Sequence, residues 1–203
     1  MQCGIEIGKG GVGVMSGLTF LHRVVITPAH VSVDGRDIRV TTAENGMDML
    51  SSVYRTLVGD YPKFFKMDPL SRLGFLASEL LLGCESPRLR DVDSRAVVLF
   101  NSCSSLADDT AYQATLGHDG TYYPSPALFV YTLPNIVTGE IAIRNKYYGE
   151  TAFYLLPHKN FAMIETIVET SFRDPAITSA IAGWIEYPPD GNFEADLRIY
   201  TKL

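Results

Sequence analysis

The chain has no cluster of lysine or arginine, and that shortage sets the first boundary on what it does. Its 17 basic residues are scattered among 23 acidic ones over 203 positions, for a net charge of −6. A nucleic-acid surface needs basic side chains gathered to displace condensed counterions, so no nucleic-acid partner is expected. Cysteine is scarce as well. Cys3, Cys84 and Cys103 form an odd set without metal-ligand or redox spacing, which sets aside a disulfide framework and reads as reduced thiols of a cytoplasmic protein. Long apolar runs are missing too. The tract from Val12 to Phe20 is interrupted by Gly13, Ser16 and Gly17 and is too short to span a bilayer, and no basic region with a cleavage signal accompanies it. Neither a signal peptide nor a membrane partner is expected.

What is present is ordinary globular material. With 46% hydrophobic and 20% charged residues the chain can bury a large core as one domain. Residues 1–40 are Gly-rich, with short runs at Val24–Ile26 and Ile38–Val40 around an Asp34-Gly35 turn, and read as strands or a loose N-terminal arm ahead of a domain spanning 41–203. Thr41 and Glu44 have the form of a capping box, after which Met47, Leu50, Tyr54 and Leu57 share a helical stripe. Asp68 as N-cap with Pro69 behind it opens a second helix through Leu73, Leu76, Ala77 and Leu80, closed at Gly83. Arg95–Asn101 is apolar without alternation, as in a strand covered on both faces.

Ser102–Ser105 offer caps for a following helix whose first turn holds Asp108 and Asp109. Ser125-Pro126 starts a short helix that cannot continue past Pro134, and Asn135 caps another running toward Tyr148. Ala152–Leu156 reads as a further buried strand. Phe161, Ile164, Ile167, Val168 and Phe172 read as an amphipathic helix. The end is a hairpin, Ile181–Tyr187 and Phe193–Tyr200 about Asp190-Gly191. In its second arm Phe193, Ala195, Leu197 and Ile199 face the core, and Glu194, Asp196, Arg198 and Tyr200 face water. Strands alternating with helices predict a layered α/β fold: a mixed, mostly parallel sheet, helices on both faces, and a C-terminal β-hairpin.

Two stretches carry a resemblance. Ser125, Pro126, Phe129, Thr132, Leu133, Asn135, Gly139 and then Gly149 follow the run that precedes the nucleophile in β-ketoacyl synthases. Lys66-Met67-Asp68 is similar to the segment that opens a helix earlier in those enzymes. Together they cover about residues 64–160, and the chain resembles the small standalone ketoacyl-synthase-like N-terminal domains. The resemblance implies a thiolase-like half-domain, in which a complete enzyme takes its Cys from the first half and a His pair, or His and Asn, from the second. The nucleophile would fall about nine residues after Gly149, where the chain has Leu156, Pro157, His158 and Lys159.

The remaining candidates each have a plainer alternative. Ser102-Cys103-Ser104-Ser105 imitates a synthase nucleophile motif but precedes Ser125-Pro126. Cys103 is therefore either a helix-start thiol with lowered pKa or a half-buried structural one. His158 is either a residual acyl-pocket donor or an exposed residue at a helix start. Gly117-His118-Asp119-Gly120-Thr121 resembles the family's His turns but lies too early. Gly8–Gly13 matches G-x-G-x-x-G, with Asp34 at a loose ribose-contact distance, yet only Cys3–Ile7 precede it, so a Gly-rich arm is the simpler reading. Glu140 and Arg144 have i,i+4 spacing for an ion pair. No paired carboxylates and no metal-ligand cluster follow from spacing, so no metal or cofactor is expected.

The expectation is a non-catalytic ketoacyl-synthase-like subunit of fatty-acid or polyketide-type biosynthesis. It would work as a homodimer or with a full-length ketosynthase, with acyl carrier protein as a further candidate partner. The apolar Phe129–Tyr131 and Ile136, Val137, Ile141, Ala142 and Ile143 would form the docking face. The alternative is an acyltransferase of the 3-oxoacyl-carrier-protein synthase kind, using Cys103 or a partner's groups.

Overall fold

The computed structural model describes residues 17–38, 46–116 and 125–203. One seven-stranded sheet organises them, in the order β3-β2-β1-β7-β6-β4-β5. The strands are β1 (Leu18–Thr27), β2 (His30–Val33), β3 (Arg36–Asp37), β4 (Arg95–Asn101), β5 (Thr151–Leu155), β6 (Ser179–Glu186) and β7 (Glu194–Lys202). The helices are α1 (Met47–Leu57), α2 (Pro69–Leu82), α3 (Leu106–Ala114), α4 (Pro126–Tyr131), α5 (Ile136–Asn145) and α6 (Phe161–Ser171).

Alternation along the strands divides the interior into two layers. Val97 and Leu99 of β4, Ile181 and Ile185 of β6, and Leu197 and Ile199 of β7 pack with α1, α2 and α5 in the larger core. Ala96, Val98 and Phe100, with Ala180, Ala182 and Trp184, meet Ile164, Val168 and Phe172 of α6 and its C-terminal end on the other face. A sheet covered on both sides explains why all seven residues of β4 are buried. Helix α2 starts as its sequence demands, with the Asp68 carboxylate accepting the Ser71 amide at 3.0 Å and Pro69 in the first turn.

Several expectations need correction. The sheet is mixed but not mostly parallel: only β4–β5 and β4–β6 run parallel, and the other four pairings are antiparallel. The parallel character comes from the two crossovers through α3–α5 and α6, while hairpins build the rest. An arm ending at residue 40 does not match the described fold, because β1 pairs with β7 from Leu18 to Ile26 inside the same sheet. Strand β5 is not buried; among the described residues it is the edge of the sheet, with Tyr154 and Leu155 exposed.

The second face of β7 is largely covered, with Glu194 and Arg198 half-buried. Asp196 and Tyr200 are buried there, Arg23 holds Asp196 through two bonds of 2.7 and 2.8 Å, and Arg198 lies over the Phe161 ring and pairs with Glu165. The face of alternating polar residues is thus not left to water, because α6 and its ion pair with Arg198 cover much of it. Glu140 and Arg144 do not pair with each other. Glu140 takes Lys63 at 2.8 Å, and Arg144 reaches Asp60 and the buried Glu79. Helix α5 stops at Asn145, short of Tyr148, because Lys146 turns left-handed at φ 55°. The capping box at Thr41 and Glu44, the Gly8–Gly13 loop, Cys3 and His118 lie outside the described residues.

Candidate functional site

The three parallel-paired strands deliver their carboxyl ends to one edge of the sheet, the place where open α/β sheets hold their chemistry. Asn101 ends β4 and is fully buried. Its amide donates to the Ser104 carbonyl at 2.7 Å while its oxygen accepts the Ser104 amide at 3.0 Å, fixing Ser104 at φ 56°. That turn presents Ser102 and Cys103 to Glu186 at the end of neighbouring β6. The Glu186 carboxylate accepts the Ser102 amide at 2.9 Å, the Ser102 hydroxyl at 2.6 Å, the Cys103 amide at 3.2 Å and the Cys103 thiol at 2.6 Å.

This arrangement decides the state of Cys103. Burial first, and then the hydrogen bond and negative charge of Glu186, push the thiol up to about 12. A helix-start cysteine gains nucleophilicity from nearby positive charge; this one faces a carboxylate and stays protonated. The lowered thiol pKa considered from the sequence is therefore reversed. The carboxylate responsible lies 83 residues away in the chain.

A second acidic feature adjoins it. Asp68 at the start of α2 and Asp108 in the first turn of α3 are both buried and face each other. Burial, and then the Asp68 charge and hydrogen bond, push Asp108 up to about 8, and burial raises Asp68 as well. Two carboxyls this close share a proton rather than both ionise. Asp68 Oδ1 and Asp108 Oδ2 find no other hydrogen-bond partner among the described residues. Spacing gave no sign of this pair. Each residue reads separately as an ordinary helix-start acid, and only the packing of the α2 and α3 N-termini joins them.

The motif residues are distributed around this edge. The Ser125 hydroxyl accepts the Leu128 amide at 3.4 Å and Pro126 occupies the first turn of α4. The Thr132 carbonyl accepts the Ser105 hydroxyl, tying the end of α4 to the Cys103 turn. Phe129 and Leu133 are exposed. Asn135 holds the N-cap position of α5 without a side-chain bond; the Thr138 hydroxyl donates to its carbonyl at 2.7 Å instead. Met67 is buried, and Lys66 is exposed at the end of a 3-10 turn over Pro62–Lys66.

Gly149 passes so close to β4 that an added Cβ would stand 2.5 Å from the carbonyl oxygens of Arg95 and Asp93, whereas Gly139 has open space around it. The turn after β5 is pinned by the Leu156 amide donating to the Asn101 carbonyl at 2.8 Å, and it then exposes Pro157, His158 and Lys159. Lys159 pairs with Glu194, and no hydrogen bond or ion pair joins His158 to Cys103.

Solved structures share this arrangement of strands and helices. The chain is similar to the ishigamide ketosynthase/chain length factor, with a TM-score of 0.67 and 13% identity over 91% of this chain and 62% of that one. It is also similar to the ketosynthase ApeO in complex with its chain length factor ApeC from Xenorhabdus doucetiae, with a TM-score of 0.61 and 14% identity over 92% and 79%. The fold is thiolase-like. A third thiolase-like match is AntDE:AntF, a type II PKS acyl-carrier protein in complex with its ketosynthase bound to the hexaketide, with a TM-score of 0.54 and 12% identity over 91% and 63%. The chain thus spans less than two thirds of the first and third of these relatives. No protein-family model matches the sequence, and no curated protein matches it. Among the described residues no helix is long and apolar enough to cross a membrane.

Elsewhere in this thiolase-like domain the structure gathers three more groups that sequence spacing had set apart. His22 on β1, Asp34 in the β2–β3 turn and Cys84 just beyond α2 place their ligand atoms within 4.8 Å of one another.

Proposed function

We propose that the protein is a non-catalytic ketosynthase-like subunit of polyketide- or fatty-acid-type biosynthesis, paired with a second ketosynthase-like chain, either its own copy or a full-length enzyme. The observation that carries this reading is the turn after β5. In the synthases that the motif resembles, the reactive Cys follows Gly149's counterpart by about nine residues; here Leu156-Pro157-His158-Lys159 fill that turn. The nearby thiol, Cys103, is held protonated against Glu186. A chain that folds like a ketosynthase but offers no thiolate there has the means to shape a partner's site and not to attack a thioester itself.

The surface around β5 supports the pairing. The edge sequence Thr-Ala-Phe-Tyr-Leu carries no charge or proline to deter strand addition, and Tyr148, Tyr154 and Leu155 stand exposed at or beside it. Val137, Ile141 and Ala142 are consumed by the protein's own core and Tyr131 and Ile136 are half-buried, so Phe129, Val130 and Ile143 remain exposed of the expected docking face, with Leu133 exposed beside them.

The lesser reading, an acyltransferase using Cys103, requires the Glu186 contact to break first. Incubation with acyl-loaded acyl carrier protein and intact-mass analysis separates the two. The expected result is no acyl adduct on this chain; rapid, saturable acylation lost in Cys103→Ala would overturn the proposal.

A further inference from the structure

The cluster of His22, Asp34 and Cys84 is far from the carboxyl edge of β4 and β6 in sequence and plays no part in the reading above. We propose that these three side chains form a binding site for a divalent zinc-class cation, with the fourth coordination position open to water.

Each ligand is positioned by a separate device. Strand β1 has a bulge: Phe20 pairs with Tyr200 and His22 with Ile199, so Leu21 is the extra residue. Counting back by two from the buried Ile26 and Val24, His22 points to the sheet face on which α2 lies, the face where Cys84 emerges. Asp34 and Gly35 form the two-residue link between β2 and β3, with φ of 50° and 73° as a type I′ turn requires. The Asp34 amide donates to the Arg23 carbonyl at 2.8 Å, folding the turn back over β1.

One carboxylate oxygen of Asp34 accepts the Arg23 amide at 2.8 Å, and the other lies 2.8 Å from His22 Nδ1. That is the outer-sphere support metal-ligating carboxylates ordinarily have: one oxygen anchored to backbone, the other turned toward the imidazole nitrogen with which it would share the ion. Cys84 Sγ, directed to the Leu80 carbonyl at 3.6 Å, completes the set.

The donor types select the ion. One imidazole nitrogen, one thiolate and one carboxylate suit zinc and its spectroscopic stand-in cobalt, not magnesium or calcium, which take oxygen. Around tetrahedral zinc such donors stand roughly 3.3–3.8 Å apart, so the cluster needs side-chain movements of about 1 Å. On binding, the Cys84 thiol gives its proton to solvent, and His22 takes the tautomer with its single proton on Nε2, so that Nδ1 and the facing Asp34 oxygen both meet the cation. Bound metal would tie the end of α2 to β1 and the β2–β3 hairpin, which are already hydrogen-bonded to each other in the sheet.

The test uses the full chain stripped with chelator and titrated with Zn²⁺ alone by calorimetry, and with Co²⁺ alone by absorption. One ion per chain is expected, with a thiolate-to-cobalt charge-transfer band in the near ultraviolet and the intense visible bands of four-coordinate cobalt. Cys84→Ser should abolish the charge-transfer band. His22→Gln and Asp34→Asn should weaken zinc binding by more than ~100-fold, since even outer-sphere partners are worth ~10–100-fold. Cys103→Ser and Cys3→Ser should change neither readout, and circular dichroism of each metal-free variant reports its fold. Failure to retain zinc at micromolar concentration, or a charge-transfer band that survives Cys84→Ser, overturns the site.

Discussion

Glu186 controls Cys103, and the consequence is measurable. Replacing Glu186 with Gln removes the negative charge that holds the thiol proton but leaves its burial, so the pKa falls from about 12. Alkylation rate follows thiolate fraction, about tenfold per pKa unit. Iodoacetamide should therefore label Cys103 at least ~tenfold faster at pH 8 in E186Q than in the parent, with Cys84 in the same digest as internal reference. An unchanged ratio would show that burial alone sets the thiol.

The Asp68–Asp108 pair gives a pH dependence of definite sign. In the folded chain Asp108 keeps its proton up to about 8, whereas unfolded it ionises near 3.8, so between those limits the folded state binds more protons. Stability contributed by this group then falls as pH rises from about 4 to about 8 and levels off above. Asp108→Asn keeps a donor facing Asp68 without a charge to bury. It should raise Tm at pH 8 by about 2–4 °C, the shift 1 kcal/mol makes in a domain of this size, and should change Tm less at pH 5. Thermal unfolding at the two pH values checks both. Cys103 was legible as a suspect from its motif, but its controlling carboxylate was not, because nothing local ties position 103 to position 186. The same holds for Asp68 with Asp108 and for His22 with Asp34 and Cys84: side chains that meet through tertiary packing leave no periodicity to read.

At the scale of elements, capping and burial signals carried well. Asp68-Pro69 opens α2, Ser125-Pro126 opens α4, and Phe161–Phe172 is the α6 region with Ile164, Val168 and Phe172 inward. What failed was the second face of strands. Strand β7 has polar residues on one side, yet α6 covers them; β5 is apolar, yet lies at an edge. Hydrophobic pattern reports what one face prefers, and the covering element is set elsewhere in the chain.

The two motif glycines separate on the same physical ground. At Gly149 a Cβ would sit 2.5 Å from two β4-side carbonyl oxygens, so backbone must move, and Gly149→Ala should cost about 2–4 kcal/mol. At Gly139, within α5, an added Cβ would meet no described residue beyond the helix's own backbone within 4 Å, and alanine gains helix propensity of about 0.5–1 kcal/mol. Urea denaturation of the two variants should move the midpoint in opposite directions. If G139A destabilises as G149A does, the open space at α5 is filled by something the isolated chain does not show.

For the whole molecule, the question is what the β5 edge meets. Hydrogen-bonding groups along an outermost strand are left for water or another chain, and a strand of five residues without a charge is poorly protected against the second outcome. Phe129, Ile143 and Leu155, at 52%, 64% and 56% exposure, add apolar area around it. A stable pairing needs on the order of 1,600 Å² of total buried surface, more than one edge strand supplies, so α4 and the exposed side of α5 must take part.

Leu155→Lys and Phe129→Lys test the two regions separately. Both side chains are exposed, so the monomer's own core is untouched and its far-ultraviolet dichroism should be unchanged. Each should shift sedimentation toward monomer, with Leu155→Lys weakening a self-associated form or a co-expressed ketosynthase complex at least ~tenfold, because a buried lysine at an interface leaves its charge unpaired. Sedimentation of the parent as a monomer at micromolar concentration, with no complex formed on co-expression, would remove the pairing. The fold would then stand as a ketosynthase-like half-domain that tolerates an open edge.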